Sequence, residues 1–539
     1  MAETLYSTGT PRCEHEVETK RISRMRFKKI QLDVVVLFSV FLVGFVIRII
    51  NLRYAIHIDE LLWIERGPIF IQALADLNPN GTFITYHPGV TVSYISGLMQ
   101  LFLPEHSDLV SFVRLPFCIF GAATGSLIYL MGKSMFNRER GLLAALLLTF
   151  EPFFIGITRL IHMDGLLSFF FTVTLYFFWL GVTQENQKYI ILSGISLGLS
   201  VLTKAPAIIL VPILAVWMLF LIKNYAKLDL KQAIRLLVTV LIISGVIIFI
   251  LWPGLWNLTI DKLLYLARNY HAPFGGHDKT VFFLRPIPSG ISPFYYYLVV
   301  LPIRLSTGVA VFLIFSIALF VNSLYKRKVK LEETLLLLVI VIFIALFSIF
   351  GQKMDRYLIP IWPTIALISS SGLQAIINWT KDILKSVAPL KNREIIPKLL
   401  LCFAVVFPAA FWSVQYQPFY VFYFNDFIGG LKGGSQITVT YTTEGTRLVA
   451  EYLSSKSNAL TVASAYSPVT LAYFYEGNVT NLPHSVITLF EQYDYVVFHL
   501  TFVQRNPDNI IWHYFKDKNP EFMVVVQDVI IVWVFNLNK

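Results

Sequence analysis

Apolar stretches long enough to cross a bilayer recur along this sequence, and they limit the possible fold more than any other feature. A helix needs about 20 mainly apolar residues to span the hydrocarbon core. Such stretches lie near residues 30–50, 111–131, 141–158, 165–182, 189–203, 205–222, 234–252, 293–322, 332–350, 357–377 and 398–416. Only 14% of the 539 residues are charged, against about a quarter in soluble domains. The sequence therefore predicts a polytopic α-helical membrane protein with about eleven transmembrane helices.

One pair of these stretches has two interpretations. The stretches at 189–203 and 205–222 are separated by Lys204, which is followed by Ala205 and Pro206. Because proline interrupts a helix, the pair is either two short spans hinged at this point or a broken re-entrant hairpin.

Charge in the connecting loops predicts the orientation. When the N-terminus is taken as inside, the inner loops contain clusters of basic residues that the outer loops lack. The clusters are Lys133, Arg138 and Arg140; Lys223, Lys227 and Lys231; Lys326, Arg327, Lys328 and Lys330; and Lys381, Lys385, Lys391 and Arg393. This asymmetry follows the positive-inside rule. It also explains the formal net charge of +11, so no nucleic-acid partner is expected.

The predicted organisation has three parts. Residues 1–29 form a basic cytoplasmic tail, residues 30–416 a transmembrane domain, and residues 417–539 a small extracytoplasmic α/β domain in which strand-like and helical patterns alternate. Two outer loops are long, at about 51–110 and 253–292. The first contains a short apolar stretch that is interpreted as a helix on the membrane surface. With its N-terminus in the cytoplasm and its C-terminal domain outside, the protein is expected in the plasma or inner membrane of the cell.

Two acidic positions are the first functional candidates. Asp59 and Glu60 follow the first span, and Asp164 lies in a very short turn between the third and fourth spans. Ionisable groups at membrane depth are functional candidates by default, and adjacent carboxylates could supply a general base and a group that orients an acceptor. The alternatives are an N-cap role for Asp59 and, for Asp164, a helix cap with an interfacial ion pair.

Several cations are predicted at the same outer face. They are His87, Arg114, Lys204, Lys353 and Arg356. Converging cations suit a phosphate or pyrophosphate, although each one alone could instead extend to the lipid headgroups. The sequence has no P-loop, no dinucleotide-binding glycine pattern and no metal-binding spacing of histidine and cysteine. A catalyst built this way would use a donor that already resides in the membrane.

Four elements, in this order and on one predicted face, resemble a known family. They are Asp59-Glu60, RLIHMDGLLSFF with Asp164, LTKAP with Lys204, and DRYLIPIWP at Asp355–Pro363. They resemble the GT-C glycosyltransferases, in the branch of the protein O-mannosyltransferases and the lipid A aminoarabinose transferases. The tail elements FYFNDFIGG and YDYVVFHLTFVQR are similar to the exported domain of prokaryotic members. The chain has no WWDYG-like element, which argues against an oligosaccharyltransferase.

The resemblance implies an inverting transferase. It would move a sugar, with a mannose-like one among the candidates, from a polyprenyl or dolichyl phosphate in the bilayer to a hydroxyl of a protein, lipid or glycan. Protein serine or threonine is the acceptor class that the resemblance favours. The resemblance implies no cofactor beyond a divalent cation, which some members hold and for which Asp59 and Asp164 are the only candidate ligands in this sequence.

The resemblance also implies a role for each site residue. Asp59 matches the position of the general base, Glu60 would hold the acceptor, and Asp164 matches the second acidic position. The donor-phosphate positions correspond to Lys204 and Arg114, and the set is completed by His87 and Arg356. His87 stands near the place where the aminoarabinose branch carries a lysine, which speaks against that sugar.

Two other functions stay open at this point. A flippase or transporter of lipid-linked sugars would also use outer cations and broken helices. Such a transporter should place polar groups near the bilayer midplane, whereas the charges here crowd one face. The third interpretation is a structural subunit with an inactive site, in which Asp59 and Asp164 would be dispensable.

Overall fold

The computed structural model describes residues 11–54, 56–85, 88–225, 228–262, 264–265, 280–287, 292–350, 352–387, 407–408, 410–440 and 443–538. Helices dominate the part before residue 388. They are α1 (Pro11–Ile49), α2 (Ile58–Ala75), α3 (Val90–Leu101), α4 (Leu109–Met135), α5 (Arg138–Thr149), α6 (Pro152–Thr158), α7 (Met163–Thr183), α8 (Gln187–Thr203), α9 (Leu210–Tyr225), α10 (Leu230–Leu251), α11 (Tyr296–Arg304), α12 (Thr307–Tyr325), α13 (Leu331–Ile349) and α14 (Trp362–Val387).

Within the described ranges, eight helical segments are long and apolar enough to cross a membrane. They are Ile30–Ile49, Leu109–Met135, Met163–Thr183, Ala205–Asn224, Leu230–Leu251, Thr307–Tyr325, Leu331–Ile349 and Asp355–Ile383. The pair α5 and α6, bent by 69°, would make a ninth, and α8 is shorter, at 17 residues. The predicted fold class is confirmed, while eleven as the number of spans stays a prediction.

Two predicted spans are broken. The span predicted at 141–158 is divided between α5 and α6, because Pro152 occupies the first position of a new helix, where proline is favoured. The span predicted at 293–322 is divided between α11 and α12. The last predicted span, 398–416, falls largely on residues outside the described ranges.

The ambiguous pair α8 and α9 forms two helices that run in opposite directions. A Cβ atom added at Gly194 would meet Ile243, and one added at Gly198 would meet Ile247, so these glycines let α8 and α10 pack closely. The contacts advance in the same direction along both helices, which makes α8 parallel to α10. The chain must therefore return through α9, and Lys204 lies at the hinge between α8 and α9. The segment Ala205–Asn224 is one of the eight that are long enough to cross a membrane, which favours two spans over a re-entrant hairpin.

A mixed α/β segment follows residue 416. Its helices are α15 (Gly430–Ile437), α16 (Thr446–Lys456), α17 (Pro468–Phe474), α18 (Val486–Gln492), α19 (Leu500–Arg505) and α20 (Ile510–Phe515). After the hairpin β1 (Thr280–Phe282) and β2 (Arg285–Ile287), the remaining strands are β3 (Thr461–Ser464), β4 (Asn478–Asn481), β5 (Tyr495–His499), β6 (Phe522–Val526) and β7 (Val529–Asn536). They form one sheet in the order β4-β3-β5-β7-β6. Strand β3 is parallel to β4 and β5, and β7 is antiparallel to β5 and β6.

The C-terminal segment contacts the end of the helix bundle at which α2 and α4 begin. Arg447 Nη1 lies 2.6 Å from Asp108 Oδ1 at the start of α4. The hydroxyl of Thr443 donates to the carbonyl of Ile56, just before α2, at 3.1 Å. In the second long loop, the amide of Phe283 donates to the carbonyl oxygen of Ile437. Residues of both long connecting loops therefore contact this segment.

Candidate active site

Helices α2 and α7 begin with the same three-residue pattern, a histidine two positions before an aspartate. His57 and His162 are the N-cap residues, and the Nδ1 atom of each accepts from the backbone amide of Asp59 or Asp164 at 3.2 Å. The aspartates therefore lie in the first turn, where the helix dipole stabilises a negative charge. The N-cap interpretation of Asp59 and the cap interpretation of Asp164 are wrong, because the histidines are the caps.

Arg356 lies between the two aspartates. Its Nη2 donates to Asp59 Oδ2 at 2.9 Å, and its Nε lies 3.4 Å from Asp164 Oδ2. Its third nitrogen, Nη1, lies 2.8 Å from His57 Nε2. His162 also joins the two acids, since its Nε2 lies 3.3 Å from Asp59 Oδ2 and its Nδ1 lies 3.3 Å from Asp164 Oδ2. Residues about 300 positions apart in the sequence thus form one charged cluster.

Lys204 completes this cluster from the hinge between α8 and α9. Its Nζ donates to Asp164 Oδ1 at 2.6 Å and lies 4.1 Å from the centre of the Tyr357 ring. Both cations therefore point at carboxylates of the cluster, so extension to lipid headgroups does not describe Lys204 or Arg356. We call Asp59, Asp164, Lys204 and Arg356, with the two histidines, the outer cluster.

Arg356 lies in a 3₁₀ turn, Asp355–Ile361. A second buried ion pair fixes this turn. Arg304 Nη2 bonds to Asp355 Oδ2, and Asp355 Oδ1 accepts from the backbone amide of Arg356 at 2.7 Å. Arg304 also donates to the carbonyl oxygens of Val421 and Tyr423 at 2.9 and 2.7 Å. The FYFNDFIGG element thereby supports the turn that presents Arg356.

Exposure distinguishes the two aspartates. The Asp59 side chain is 26% exposed, whereas that of Asp164 is 1% exposed.

Burial alone would raise the pKa of Asp59, but the Arg356 guanidinium and the neighbouring histidines hold it well below its usual range. Burial lowers the pKa of His57 to about 4, so His57 is neutral at pH 7. Burial also opposes protonation of His162, but Asp164 and Asp59 outweigh it and raise the pKa of His162.

Glu60 and Arg114 form a separate, fully buried pair. Arg114 Nε donates to Glu60 Oε1 at 2.7 Å, and Arg114 Nη2 bonds to Oε2. The Glu60 carboxylate also accepts from the backbone amides of Ile161 and His57, at 2.9 and 2.8 Å. These contacts join the starts of α2 and α7. They leave no side of Arg114 open to a phosphate and no side of Glu60 open to an acceptor, so we place both in the scaffold under the outer cluster.

The structure describes one of the two remaining predicted cations. Lys353 is buried, and its Nζ donates to the carbonyl oxygens of Ser292 and Phe350 at 2.9 and 2.8 Å, so it ties two loops together. His87 falls outside the described residues, and its role stays a prediction.

Asp59 and Asp164 are the only residues predicted to bind a divalent cation, so whether such a cation fits this site depends on these two carboxylates. Both carboxylates already bind Arg356, and Asp164 also binds Lys204. Among the residues that the structure describes, no three His, Cys, Asp or Glu side chains form a group that could hold a metal ion. The cluster therefore fits an anionic ligand better than a cation.

Comparison with known proteins identifies similar sequences. Residues 87–252 match the family described as dolichyl-phosphate-mannose-protein mannosyltransferase, a range that includes Asp164 and Lys204 but not Asp59 or Arg356. The chain is 24% identical over 287 residues to the undecaprenyl phosphate-alpha-4-amino-4-deoxy-L-arabinose arabinosyl transferase of Wigglesworthia glossinidia brevipalpis. That match covers 52% of this chain and 48% of the relative, so the chain spans about half the length of this relative.

Two solved structures share the fold. The Archaeoglobus fulgidus oligosaccharyltransferase in its apo form has a TM-score of 0.53 at 13% identity, covering 87% of this chain and 69% of that one. ArnT from Cupriavidus metallidurans, bound to undecaprenyl phosphate, has a TM-score of 0.51 at 12% identity, covering 94% and 98%. At this identity the likeness establishes the fold alone.

Proposed function

Because the chain resembles the GT-C glycosyltransferases in sequence and has their fold, we propose that it is a membrane-bound glycosyltransferase. Its donor is a polyprenyl-phosphate sugar, with a mannose-like sugar as the first candidate. Its acceptor is a hydroxyl of an exported protein, lipid or glycan. The observation that carries this proposal is the outer cluster, in which Asp59 and Asp164 share Arg356, and Asp164 also binds Lys204.

The donor phosphate enters this mechanism as a competitor for the two cations. Without a ligand, Arg356 and Lys204 neutralise the aspartates. A phosphate between them accepts charge-assisted hydrogen bonds from the guanidinium and the ammonium, and Asp59 then loses part of its ion pair. Since the guanidinium contributes most to lowering the pKa of Asp59, ahead of His162 and His57, donor binding makes Asp59 a stronger base.

Asp59 acts on the acceptor because it is the more exposed acid of the cluster. Its carboxylate takes the proton as the acceptor oxygen bonds to the anomeric carbon. The bond from that carbon to the phosphate oxygen breaks on the opposite face, its electron pair stays on the lipid phosphate, and the configuration inverts. Arg356 and Lys204 stabilise the charge that develops on the phosphate, which is most effective where water is scarce.

The orientation is part of the proposal. We place the N-terminus and the basic loops in the cytoplasm, and the outer cluster and the C-terminal segment outside the cytoplasm. A reporter fused after Asn538 should then report an exported location, and one fused after Lys328 a cytoplasmic location. The reverse pattern would place the cluster on the cytoplasmic face and rule out an exported acceptor.

Lys204 provides a test of donor binding. The change Lys204→Met keeps the length of the side chain but removes its charge, so we expect polyprenyl phosphate to bind about 10–100-fold more weakly, as for loss of a hydrogen bond to a charged group. The measurement is titration of the purified protein with polyprenyl phosphate in detergent. A matched control is Lys262→Met, since Lys262 bonds to Asn80 at 2.7 Å, outside the outer cluster. Equal affinity of both variants would remove Lys204 from the donor site.

A further inference from the structure

A polar cavity lies at the end of the helix bundle opposite the outer cluster. It has a volume of about 340 Å³ and lies among α5, α12, α13 and α14. Gln374 lines it, and this residue is separated from Arg356 by the rest of the 3₁₀ turn and three turns of α14. That path corresponds to roughly 30 Å, about the thickness of the hydrocarbon core. The cavity is therefore at the level of the other membrane surface.

Charged and amide side chains line this cavity. Arg140 is almost fully buried and bonds to the Ser371 hydroxyl through Nη2. Glu333 Oε1 lies 3.5 Å from Arg140 Nη1 and 3.8 Å from Lys330 Nζ. The two cations and the single acid among the lining residues leave one positive charge in excess.

Two buried polar atoms in this lining have no hydrogen-bond partner among the described residues. One is the donor Arg140 Nε, and the other is the acceptor Gln374 Oε1. The Gln374 amide nitrogen is occupied, since it donates to Asn378 Oδ1 at 3.2 Å. Buried polar groups are normally satisfied, so a molecule that offers both an acceptor and a donor would match the lining of this cavity.

We propose that this cavity binds the headgroup of a phospholipid that carries both a phosphate and a hydroxyl or ammonium group. The phosphate accepts from Arg140 and Lys330, while the hydroxyl or ammonium hydrogen donates to Gln374 and Glu333. Basic pockets between transmembrane helices at the cytoplasmic surface are a recognised form of lipid site. Phosphatidylglycerol and phosphatidylethanolamine have the required donors, whereas the quaternary ammonium of phosphatidylcholine has none.

The surroundings of the cavity favour a lipid over a soluble phosphate. Leu319 lines the cavity and is 40% exposed, and Phe315, one turn earlier on the same face of α12, is 50% exposed. A lipid seated in the cavity can therefore lay its acyl chains along α12. Free glycerol 3-phosphate lacks those chains and would gain only the polar contacts.

The test is native mass spectrometry of the full-length protein in detergent, titrated with these three phospholipids of identical acyl chains. We expect one molecule of phosphatidylglycerol or phosphatidylethanolamine to be retained, and phosphatidylcholine to bind about tenfold more weakly. Arg140→Met should weaken retention of all three lipids. Gln374→Leu should reduce the preference over phosphatidylcholine, because only Glu333 then accepts from the headgroup, and this variant keeps the test valid if the arginine variant does not fold.

The control is Lys326→Met, a change of an exposed cation at the same end of the bundle that does not line the cavity. It should leave retention unchanged. Equal retention of all three lipids, or an unchanged preference in Gln374→Leu, would overturn the proposal. Displacement of the lipid by millimolar glycerol 3-phosphate would show a site for a soluble anion instead.

Discussion

Replacing Asp59 with asparagine should lower the rate of sugar transfer about 10²–10⁴-fold, the usual contribution of a positioned general base. Asparagine keeps the shape of the side chain but cannot take the proton of the acceptor hydroxyl. Donor binding should not weaken, because the substitution removes a carboxylate that competes with the phosphate for Arg356. The measurement is single-turnover transfer from a polyprenyl-phosphate sugar, together with titration of the same donor.

A matched control for this variant is Glu65→Gln on the same helix. Glu65 is an exposed acid of α2 outside the outer cluster, so its loss should leave transfer and donor affinity unchanged. Unchanged transfer in the Asp59 variant would remove this residue from the mechanism. A loss of donor affinity that matches the loss of rate would instead make Asp59 part of the donor site.

The second large effect concerns stability. Glu60→Gln should lower the free energy of unfolding by about 3–5 kcal/mol, because it leaves the buried Arg114 guanidinium without its counter-ion. The amides of Ile161 and His57 would also lose a charged acceptor. The measurement is unfolding by sodium dodecyl sulfate in mixed micelles, followed by tryptophan fluorescence.

The double variant Glu60→Met with Arg114→Met provides the control. Replacing both members of a buried pair by apolar residues of similar volume costs far less than removing one member, so the double variant should be more stable than either single variant. If Arg114→Met instead keeps full stability and loses donor affinity, Arg114 is a ligand of the donor phosphate and our scaffold assignment is wrong.

The fold class and the resemblance to GT-C glycosyltransferases could be predicted from the sequence, and both are confirmed. Hydrophobic length is a local property, so it locates most spans without knowledge of tertiary contacts. It does not locate breaks such as the one at Glu151 and Pro152, where the helix bends within the stretch predicted as one span. Part of the last predicted span lies outside the described residues, so the number of spans remains a prediction.

The composition of the site is harder to predict from the sequence than the fold class. A local pattern could have identified the histidines, since His57-Ile58-Asp59 and His162-Met163-Asp164 share one spacing. No local pattern distinguishes the roles of the cations. Arg114 and Arg356 both look like phosphate ligands in the sequence, but only tertiary contacts place Arg114 against Glu60 and Arg356 against Asp59.

The most direct test of the proposed function is transfer of a radiolabelled sugar by the wild-type protein in proteoliposomes. The donor is a synthetic polyprenyl-phosphate mannose, and the acceptors are peptides that contain serine and threonine, together with a crude fraction of exported lipids and glycans. We predict that label moves to a hydroxyl acceptor and that polyprenyl phosphate accumulates in equal amount. If no acceptor gains label while the intact labelled lipid crosses the bilayer, the protein is a flippase and the transferase proposal is wrong.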